Sequence, residues 1–550
     1  MEDKYLYAPY PLNRIMEYKS FISEDYDGFK LMHLDLLDHP FLGTVQIEFV
    51  DASEINEGPY CSVIIGPNGS GKSYLQRTIV DIFRQLFIFE KRIKDKPNYV
   101  IGGFNMIFFN HGAFYTFGNI EYSEIKNGMA KRSRKKLNLE NAYQAFLVKD
   151  GADVSTDKVL PNKILASAFT IWDKFLYQPN IDTNAKEKTF EKSYEYLGIK
   201  YSDRAAGTKQ LIRNTVDNIV SGINGKKMVP NLKELLLLLG YDEKLKISYL
   251  PKYRNQFWNK NLDYKSFCNL FDDWTSTFKE RETEPWGLAY YNKIKTNKDL
   301  IKEICRVLNH ADLREYGKQK RGRYLEYEVL NTTTISADFP VIGHVDKLDL
   351  LSAPDVKFSK NGELISLDTS SSGESQIITS LISIIAKLQS NSLVLIDEPE
   401  TSLHPNWQMQ YMEILRKMFA HFSTSHFIIA THSHFMVSDS VNEKSKIIGV
   451  NRRGTPNSIR KSSMVVVDTP DNSFGWSAEE VLYSVFGVRS SRNHYLEYDL
   501  TKLITLINRD SKDKSEIERI LEKITPLKLS DADPLKIIIE KAENYLAKLK

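Results

Sequence analysis

The sequence contains 550 residues, of which 42% are hydrophobic and 26% are charged, and its formal net charge is +3. This composition predicts a large folded protein with ample buried core, and it excludes an intrinsically disordered chain. Because the charge is nearly balanced for this length, overall charge gives no argument for a nucleic-acid partner.

The first residues, Met1-Glu-Asp-Lys, contain no apolar signal segment. No run in the chain approaches the roughly 18 apolar residues of a membrane-spanning helix. Cys61, Cys268 and Cys305 lie far apart, which argues against a disulfide framework or a zinc ribbon. We therefore expect a cytoplasmic protein that makes no membrane contact of its own.

A glycine-rich segment follows the apolar run at 62–65 and precedes a helix-like stretch at 75–87. It fits the pattern G-x-x-x-x-G-K-[ST], in which inward-turned N–H groups hold phosphate oxygens. Lys72 adds a cation for the β- and γ-phosphates, and Ser73 offers a hydroxyl to Mg²⁺ at a helix N-terminus. The pattern predicts a nucleoside triphosphate site formed by Gly66, Pro67, Asn68, Gly69, Ser70, Gly71, Lys72 and Ser73.

Strand-like segments surround this loop. They are the runs at 44–49, 99–117 and 163–172. We assign residues 1–180 to the first lobe of an ATPase domain that carries the phosphate-binding loop.

Residues 181–320 contain short amphipathic pieces, such as the run at 232–240, and an aromatic-rich segment from Tyr249 to Trp286. They lack sustained apolar heptads, which argues against a long coiled coil. We predict a compact helical insertion.

Two basic runs, Lys131–Lys136 and Lys318–Arg323, fall in the span between the ATPase motifs. Each fits either a solvated loop or a contact with the phosphates of DNA or RNA. The solvated loop is the favoured interpretation of both runs.

Residues 321–490 form the second predicted lobe, which contains a serine-rich loop at 370–376 ahead of a helix-like run at 377–388. An apolar run at 393–396 then ends in two acids and predicts a strand buried on both faces. Asp397 is placed to bind Mg²⁺ and Glu398 to act as the general base for water.

The second lobe continues with Thr401-Ser-Leu-His-Pro405 and with an apolar run at 427–430 that ends in Thr431-His-Ser-His434. No cysteine lies near this His-Ser-His run, which argues against a metal role. Residues 491–550 are rich in lysine and glutamate and predict a helical tail that binds a partner.

In this order the segments resemble the ABC-type ATPase heads of the SMC, RecF and OLD families. The resemblance implies an α/β fold, in which a mixed sheet with flanking helices is split by the helical insertion and followed by C-terminal helices. It identifies residues 401–405 as a D-loop and His432 as a His switch. It also identifies a signature loop that a second protomer would supply, formed by Ser371, Ser372, Gly373 and Glu374.

The signature loop departs from the family pattern, because Ser372 stands at the place of the first glycine. A second departure is Asp173-Lys174, which lies where such heads carry a glutamine lid on the metal. Gln178 is further along the chain, and the equivalent of this lid is not identified.

The resemblance implies that ATP and Mg²⁺ bind between the phosphate-binding loop of one protomer and the signature loop of another, in a homodimer or higher homo-oligomer. His432 would then hydrogen-bond the γ-phosphate or the attacking water. By this resemblance, the span between Lys72 and Asp397 is too long for a transporter head and much too short for an SMC rod.

No segment after His434 matches the Toprim domain of OLD nucleases or an HNH centre. Segments 173–175, 194–199 and 476–488 resemble the PtuA ATPases of Septu-type and retron-associated antiphage systems. That resemblance implies an ATP-controlled regulatory subunit with a separately encoded HNH nuclease, and a reverse transcriptase with its RNA–DNA hybrid as a further partner. The alternatives are a RecF/SMC-like DNA repair ATPase and a nucleotide-sensing scaffold that dimerises with little turnover.

Overall fold

The computed structural model covers the segments that carry the nucleotide-binding motifs. The described residues are 15, 18–19, 26–50, 59–90, 101–119, 145–149, 152–153, 159–170, 172–177, 190, 192–202, 205–206, 208–223, 228–252, 257–258, 261–279, 287–316, 320–331, 334–438, 445–453, 463–467, 494–509, 511–527 and 535–548. The chain divides into two compact units, residues 1–475 and residues 476–550.

All of the described strands belong to the first unit. They are β1 (Phe29–His39), β2 (Gly43–Glu48), β3 (Tyr60–Ile65), β4 (Gly103–Asn110), β5 (Ala113–Gly118), β6 (Phe146–Lys149), β7 (Ala152–Asp153), β8 (Lys163–Ala168), β9 (Tyr194–Tyr196), β10 (Lys200–Ser202), β11 (Ala205–Ala206), β12 (Leu245–Tyr249), β13 (Asp312–Tyr316), β14 (Lys320–Glu328), β15 (Asp355–Lys360), β16 (Glu363–Ser366), β17 (Ser392–Asp397), β18 (His426–Thr431), β19 (Ser445–Arg453) and β20 (Ser463–Val467).

The helices of the first unit are α1 (Lys72–Glu90), α2 (Thr208–Ile223), α3 (Met228–Leu238), α4 (Tyr264–Lys279), α5 (Leu288–Ile294), α6 (Lys298–Asn309), α7 (Thr334–Lys347), α8 (Ser372–Lys387), α9 (Pro405–Phe419) and α10 (His434–Ser438). Those of the second unit are α11 (His494–Asn508), α12 (Lys514–Ile524) and α13 (Leu535–Lys548).

A seven-stranded sheet carries the predicted motifs, in the order β20-β19-β3-β18-β17-β8-β9. Its strands run parallel except β20, which is antiparallel to β19. Every residue of β17 is buried, as expected for an apolar strand covered on both faces. Since parallel strands end at the same edge of a sheet, the residues after β3, β17, β18 and β8 meet at one edge.

A six-stranded antiparallel sheet, in the order β2-β1-β4-β5-β6-β7, shares a hydrophobic core with the central sheet and with α1. The aromatic side chains of β4 and β5 are buried in this core, so the aromatic-rich sequence around 104–117 is explained by packing. The helix α1 packs against β17 and β18, and α8 packs against β8. The predicted α/β class, a mixed sheet with flanking helices, is confirmed.

The segment between the lobes differs from the predicted helical insertion. Besides helices α2 to α6 it contributes β12 and β13 to a five-stranded antiparallel sheet in the order β13-β14-β12-β15-β16. The boundary predicted at 320/321 therefore falls inside β14. The strand β12 pairs with residues 325–328 and 355–358, which are distant in sequence, so local periodicity gave little sign of the sheet.

The second basic run also differs from its favoured interpretation, because residues 320–323 begin β14 and pair with β13 instead of forming a loop. The first basic run, residues 131–136, and the segment 476–488 lie outside the described residues.

The insertion contacts the second lobe directly. The helix α2 packs along α8, and Nδ2 of Asn218 donates a buried hydrogen bond of 2.9 Å to Oγ of Ser383. This contact joins the insertion to the helix that follows the signature loop.

In the second unit, α11, α12 and α13 pack around their own small core, which agrees with the predicted C-terminal helices. The core consists of Leu503, Ile517, Ile520, Leu521, Ile524 and Ala542. A search of the described helices in both units finds none with the length and apolar character needed to span a bilayer.

Candidate active site

The phosphate-binding loop joins the buried strand β3 to α1. Gly69 and Gly71 have φ angles of +80° and +107°, a backbone region that favours glycine. A side chain at Gly66 would place its Cβ 2.0 Å from the carbonyl oxygen of Val450 in β19. Glycine is therefore required here both for the turn and for its close contact with the neighbouring strand.

Lys72 is buried at the start of α1, with 4% of its surface exposed. Its Nζ donates to the carbonyl oxygen of Gly66 at 2.9 Å and lies 3.4 Å from Oε1 of Glu398. A buried ammonium needs partners of this kind because burial of an unpaired charge is costly. The cation is held within the loop that would receive the phosphates.

The residues predicted to bind Mg²⁺ lie together. Oγ of Ser73 donates to Oδ1 of Asp397 at 3.0 Å, and burial together with the Glu398 carboxylate raises the pKa of Asp397 to about 7. Ser70, three residues before Ser73, is buried, and its Oγ has no hydrogen-bond partner in the described part of the chain. Oxygen donors beside a phosphate-binding loop suit Mg²⁺, which prefers oxygen ligands shared with phosphate.

Glu398 is the first residue after β17 and has a φ angle of +51°. Its N–H donates to the carbonyl oxygen of Ala430 in β18, which holds this left-handed turn at the strand end. The turn places Oε1 beside Lys72, while Oε2 forms a short hydrogen bond with Nδ1 of His432. The predicted general base thus lies between two cationic groups.

His432 follows β18 and is half exposed. Its Nδ1 lies beside Oε2 of Glu398 and 3.0 Å from Oε1 of Glu400. Hydrogen bonds with these two carboxylates raise the pKa of His432 to about 10, so the imidazole is doubly protonated at neutral pH. The ligand atoms of the three side chains lie within 4.8 Å of one another, but a metal ion would have to displace a proton from the imidazolium to bind here.

The signature loop caps α8. Oγ of Ser371 accepts a hydrogen bond from the backbone N–H of Glu374, as an N-cap residue does, and donates to the Glu374 carboxylate. A Cβ at Gly373 would lie 2.6 Å from the carbonyl oxygen of Ser402, so glycine allows the loop to touch the predicted D-loop. Within the described ranges, no hydrogen bond joins Ser371 or Glu374 to the phosphate-binding loop of the same chain.

The structure gives Asp173 a defined place near Asp397, the predicted Mg²⁺ ligand. Its buried carboxylate accepts hydrogen bonds from the hydroxyl of Tyr196 at 2.8 Å and pairs with Nζ of Lys200 at 3.0 Å. The Asp173 charge is one of the groups that raise the pKa of Asp397. Gln178 lies outside the described residues, and the identity of the lid stays open.

Three residues were not assigned a role from the sequence. Glu400 holds the loop after β18, and Nε2 of Gln76 in α1 donates to the carbonyl oxygens of Ile396 and Ile428, each at 3.0 Å. The guanidinium of Arg452 bridges the carbonyl oxygens of Gly69 and Phe41. For Glu400, its position close after Asp397 and Glu398 in the sequence was an available sign of a role in the site. Gln76 and Arg452 act through contacts between distant segments, which the sequence does not show.

Comparison with known proteins shows which family this arrangement belongs to. The family model described as an AAA ATPase domain matches residues 44–437. The retron Vc95 probable ATPase of Vibrio cholerae serotype O1 biovar El Tor is 28% identical over 233 residues. That alignment covers 37% of this chain and 43% of the relative, so the chain spans less than half of the relative's length.

Two solved structures are similar over most of their own lengths. The SMC head domain of Thermotoga maritima shares 13% identity, with 80% of this chain and 100% of that chain covered and a TM-score of 0.33. The SMC head domain of Pyrococcus furiosus, bound to the C-terminal domain of ScpA, shares 12% identity, with 80% and 96% covered and a TM-score of 0.30.

Proposed function

Because this chain belongs to the AAA ATPase domain family, whose model matches residues 44–437, we propose that it binds and hydrolyses ATP as the regulatory subunit of an antiphage defence complex. The observation that supports ATP hydrolysis is the chain of contacts from Lys72 through Glu398 to His432, beside the Ser73–Asp397 pair. The defence role is supported by the similarity to a retron ATPase and by the segments that resemble PtuA.

In the proposed reaction, Mg²⁺ held by Ser73 and Asp397 would neutralise charge on the phosphates. Lys72 would move its contact from Glu398 to the β- and γ-phosphates. Glu398 would then be free to accept a proton from the attacking water, while His432 donates to the γ-phosphate. In the structure, Glu398 is paired with both of its cationic neighbours, Lys72 and His432.

The proposed partners are a second copy of this chain, a separately encoded HNH nuclease, and a reverse transcriptase with its RNA–DNA hybrid. Cytoplasmic location is part of the proposal. The test is mass spectrometry of the complex purified with its genomic neighbours. A co-purified HNH protein is expected, whereas a lone dimer that shifts DNA in the presence of ATP would point to a repair ATPase, and a dimer without turnover to a nucleotide-sensing scaffold.

We expect Ser371→Arg to leave ATP binding to the monomer largely intact and to block hydrolysis. The reason is that a bulky side chain at the N-cap of α8 would occupy the space of the γ-phosphate bound by the second protomer. Calorimetry measures ATP binding, and phosphate release measures turnover. Ser276→Arg, a change at an exposed serine in α4, is the matched control.

Mixing Ser371→Arg chains with Lys72→Ala chains tests whether sites are shared between protomers. In a mixed dimer both lesions fall on one interface, and the other interface combines an intact phosphate-binding loop with an intact signature loop. We expect the mixture to regain part of the turnover. No recovery in a proven heterodimer would show that the signature loop does not act in trans.

Phe41 offers a stacking surface for the nucleobase. It lies in the turn between β1 and β2, its ring stacks on Tyr74 with a centroid separation of 4.4 Å, and 48% of its surface is exposed. Arg452 ties the same turn to the phosphate-binding loop. An exposed aromatic face at this point suits a purine ring.

We expect Phe41→Ala to weaken ATP binding by roughly 5- to 140-fold, the range for one lost base–aromatic stack of about 1–3 kcal/mol, and to leave inorganic triphosphate binding unchanged. Competition binding with both ligands measures the difference. Phe89→Ala, an exposed phenylalanine at the far end of α1, is the control. An equal loss for both ligands would place Phe41 outside the nucleobase site.

A further inference from the structure

Glu400 lies beneath the loop that carries His432. One oxygen, Oε1, accepts three hydrogen bonds, from Oγ1 of Thr431 at 2.6 Å, the N–H of His432 at 2.6 Å and the N–H of Ser433 at 3.1 Å, and it forms an ion pair with Nδ1 of His432 at 3.0 Å. Only 4% of the residue is exposed. A buried carboxylate therefore fixes both the backbone and the ring of the predicted His switch.

The charge of Glu400 needs an explanation beyond these backbone contacts. Two N–H groups and one hydroxyl would be satisfied by a neutral acceptor, and burying a charge is costly unless it is paired. The cationic group that faces Glu400 is His432, and the Glu398 carboxyl lies beside it as a second acid. The other oxygen, Oε2, has no hydrogen-bond partner among the described side chains and backbone atoms. Although burial alone would raise it, hydrogen-bonding contacts with His432, Glu398 and Thr431 hold the pKa of Glu400 below its usual value.

Nδ1 of His432 has two carboxylate partners, Glu398 and Glu400. Glu398 must leave this contact if it is to accept a proton from water, and Lys72 lies on its other side. Glu400 comes from the same strand end but is fixed by three donors of the loop after β18, so it can pair with Nδ1–H without rotation of the ring. The side chain of His432 is 45% exposed, and its Nε2 forms no hydrogen bond within the described part of the chain.

We propose that Glu400 is the positioning residue that holds His432 as an oriented imidazolium, so that Nε2–H meets the γ-phosphate while Glu398 is released to act as the base. This inference rests on the proposed ATPase function. It assigns separate roles to the neighbouring acids: Glu398 touches the water that reacts, and Glu400 acts through His432.

The test uses Glu400→Gln in the full chain, because glutamine keeps an oxygen acceptor for Thr431 and the two N–H groups but removes the charge. We expect kcat to fall roughly 10- to 100-fold, the range for loss of a hydrogen bond to a charged group. We expect ADP affinity to stay unchanged and the preference for a non-hydrolysable ATP analogue over ADP to fall. Glu413→Gln, an exposed glutamate paired with Lys417 in α9, is the matched control.

The pH profile separates this role from a purely structural one. In the wild type, His432 keeps its second proton through the neutral range. In Glu400→Gln the ring loses a carboxylate that favours the charged form, so its pKa falls. We therefore expect the activity of the variant to decline as pH rises through the neutral range. In the wild type, the part of the activity that depends on the charge of His432 should stay constant over the same range. A flat profile with wild-type kcat in Glu400→Gln would overturn the proposal.

A double-mutant cycle with His432→Ala gives a second criterion. If Glu400 acts through His432, the double variant should be no slower than His432→Ala alone. Independent, additive losses would overturn the proposal. The same cycle can be measured without turnover, from the affinities of the four proteins for the ATP analogue and for ADP. Wild-type hydrolysis tests the ATPase function separately, so failure of this inference can be distinguished from failure of the ATPase function.

If Glu400→Gln does not fold, as thermal unfolding would show, the wild type still decides the question. Carbon-13 labelling of histidine, with the resonance assigned by His432→Ala, reports the charge of this ring directly. A signal that stays protonated to pH 9 supports the proposal. A signal that titrates near the ordinary histidine pKa of about 6.5 would overturn it.

Discussion

Glu398→Gln is expected to lose ATP hydrolysis while keeping ATP binding. Glutamine has the same size and retains one oxygen, but it cannot accept a proton from water. Loss of a general base slows a reaction by about 10²–10⁴-fold, which corresponds to roughly 3–5 kcal/mol of barrier. Ser73 and Asp397 still offer their oxygens to Mg²⁺, so the variant should accumulate as an ATP-bound closed dimer. Phosphate release measures hydrolysis, calorimetry measures ATP binding, and light scattering measures dimerisation.

The same variant tests the resting state of the proposed defence complex. If ATP keeps the nuclease silent, Glu398→Gln should stay inhibited in a cell exposed to phage; if ATP activates it, the variant should be toxic without phage. We expect the first result, because a toxin must be silent in a healthy, ATP-rich cell. Wild-type hydrolysis in the variant would remove Glu398 from the mechanism, and constitutive toxicity would reverse the resting state.

Lys72→Ala is expected to weaken ATP binding by at least about 100-fold and to abolish cellular protection, because the phosphates lose a buried cation and its charge-assisted hydrogen bonds. The glycine turns of the loop are unaffected, since Gly69 and Gly71 set them. Calorimetry with ATP measures the loss, and thermal unfolding checks that the fold is intact.

Lys417→Ala, at an exposed lysine of α9, controls for loss of a positive charge elsewhere. Equal ATP affinity in Lys72→Ala and the wild type would show that the loop does not bind the triphosphate in the proposed way. Loss of affinity in both lysine variants would indicate a general effect of net charge.

The fold class and the positions of the central strands could be predicted because their signals are local. The glycines at 69 and 71 adopt the left-handed backbone that the phosphate-binding pattern requires, and the apolar run before Asp397 forms a fully buried strand. The insertion could not be predicted in the same way. Its sheet joins β12 to strands that lie far along the chain, and such pairing depends on tertiary contacts more than on residue type.

The sequence by itself therefore determined the chemistry available to this protein: a lysine and a serine after a glycine loop, two acids at a strand end and a histidine after the next strand. Only the tertiary structure decided how these groups are paired. The parallel order of β3, β18 and β17 brings their ends to one edge, so Glu398 lies between Lys72 and His432, and Glu400 lies under the histidine loop. The physical reason is that charge pairing and protonation depend on distances and burial, which arise only when segments distant in sequence pack together.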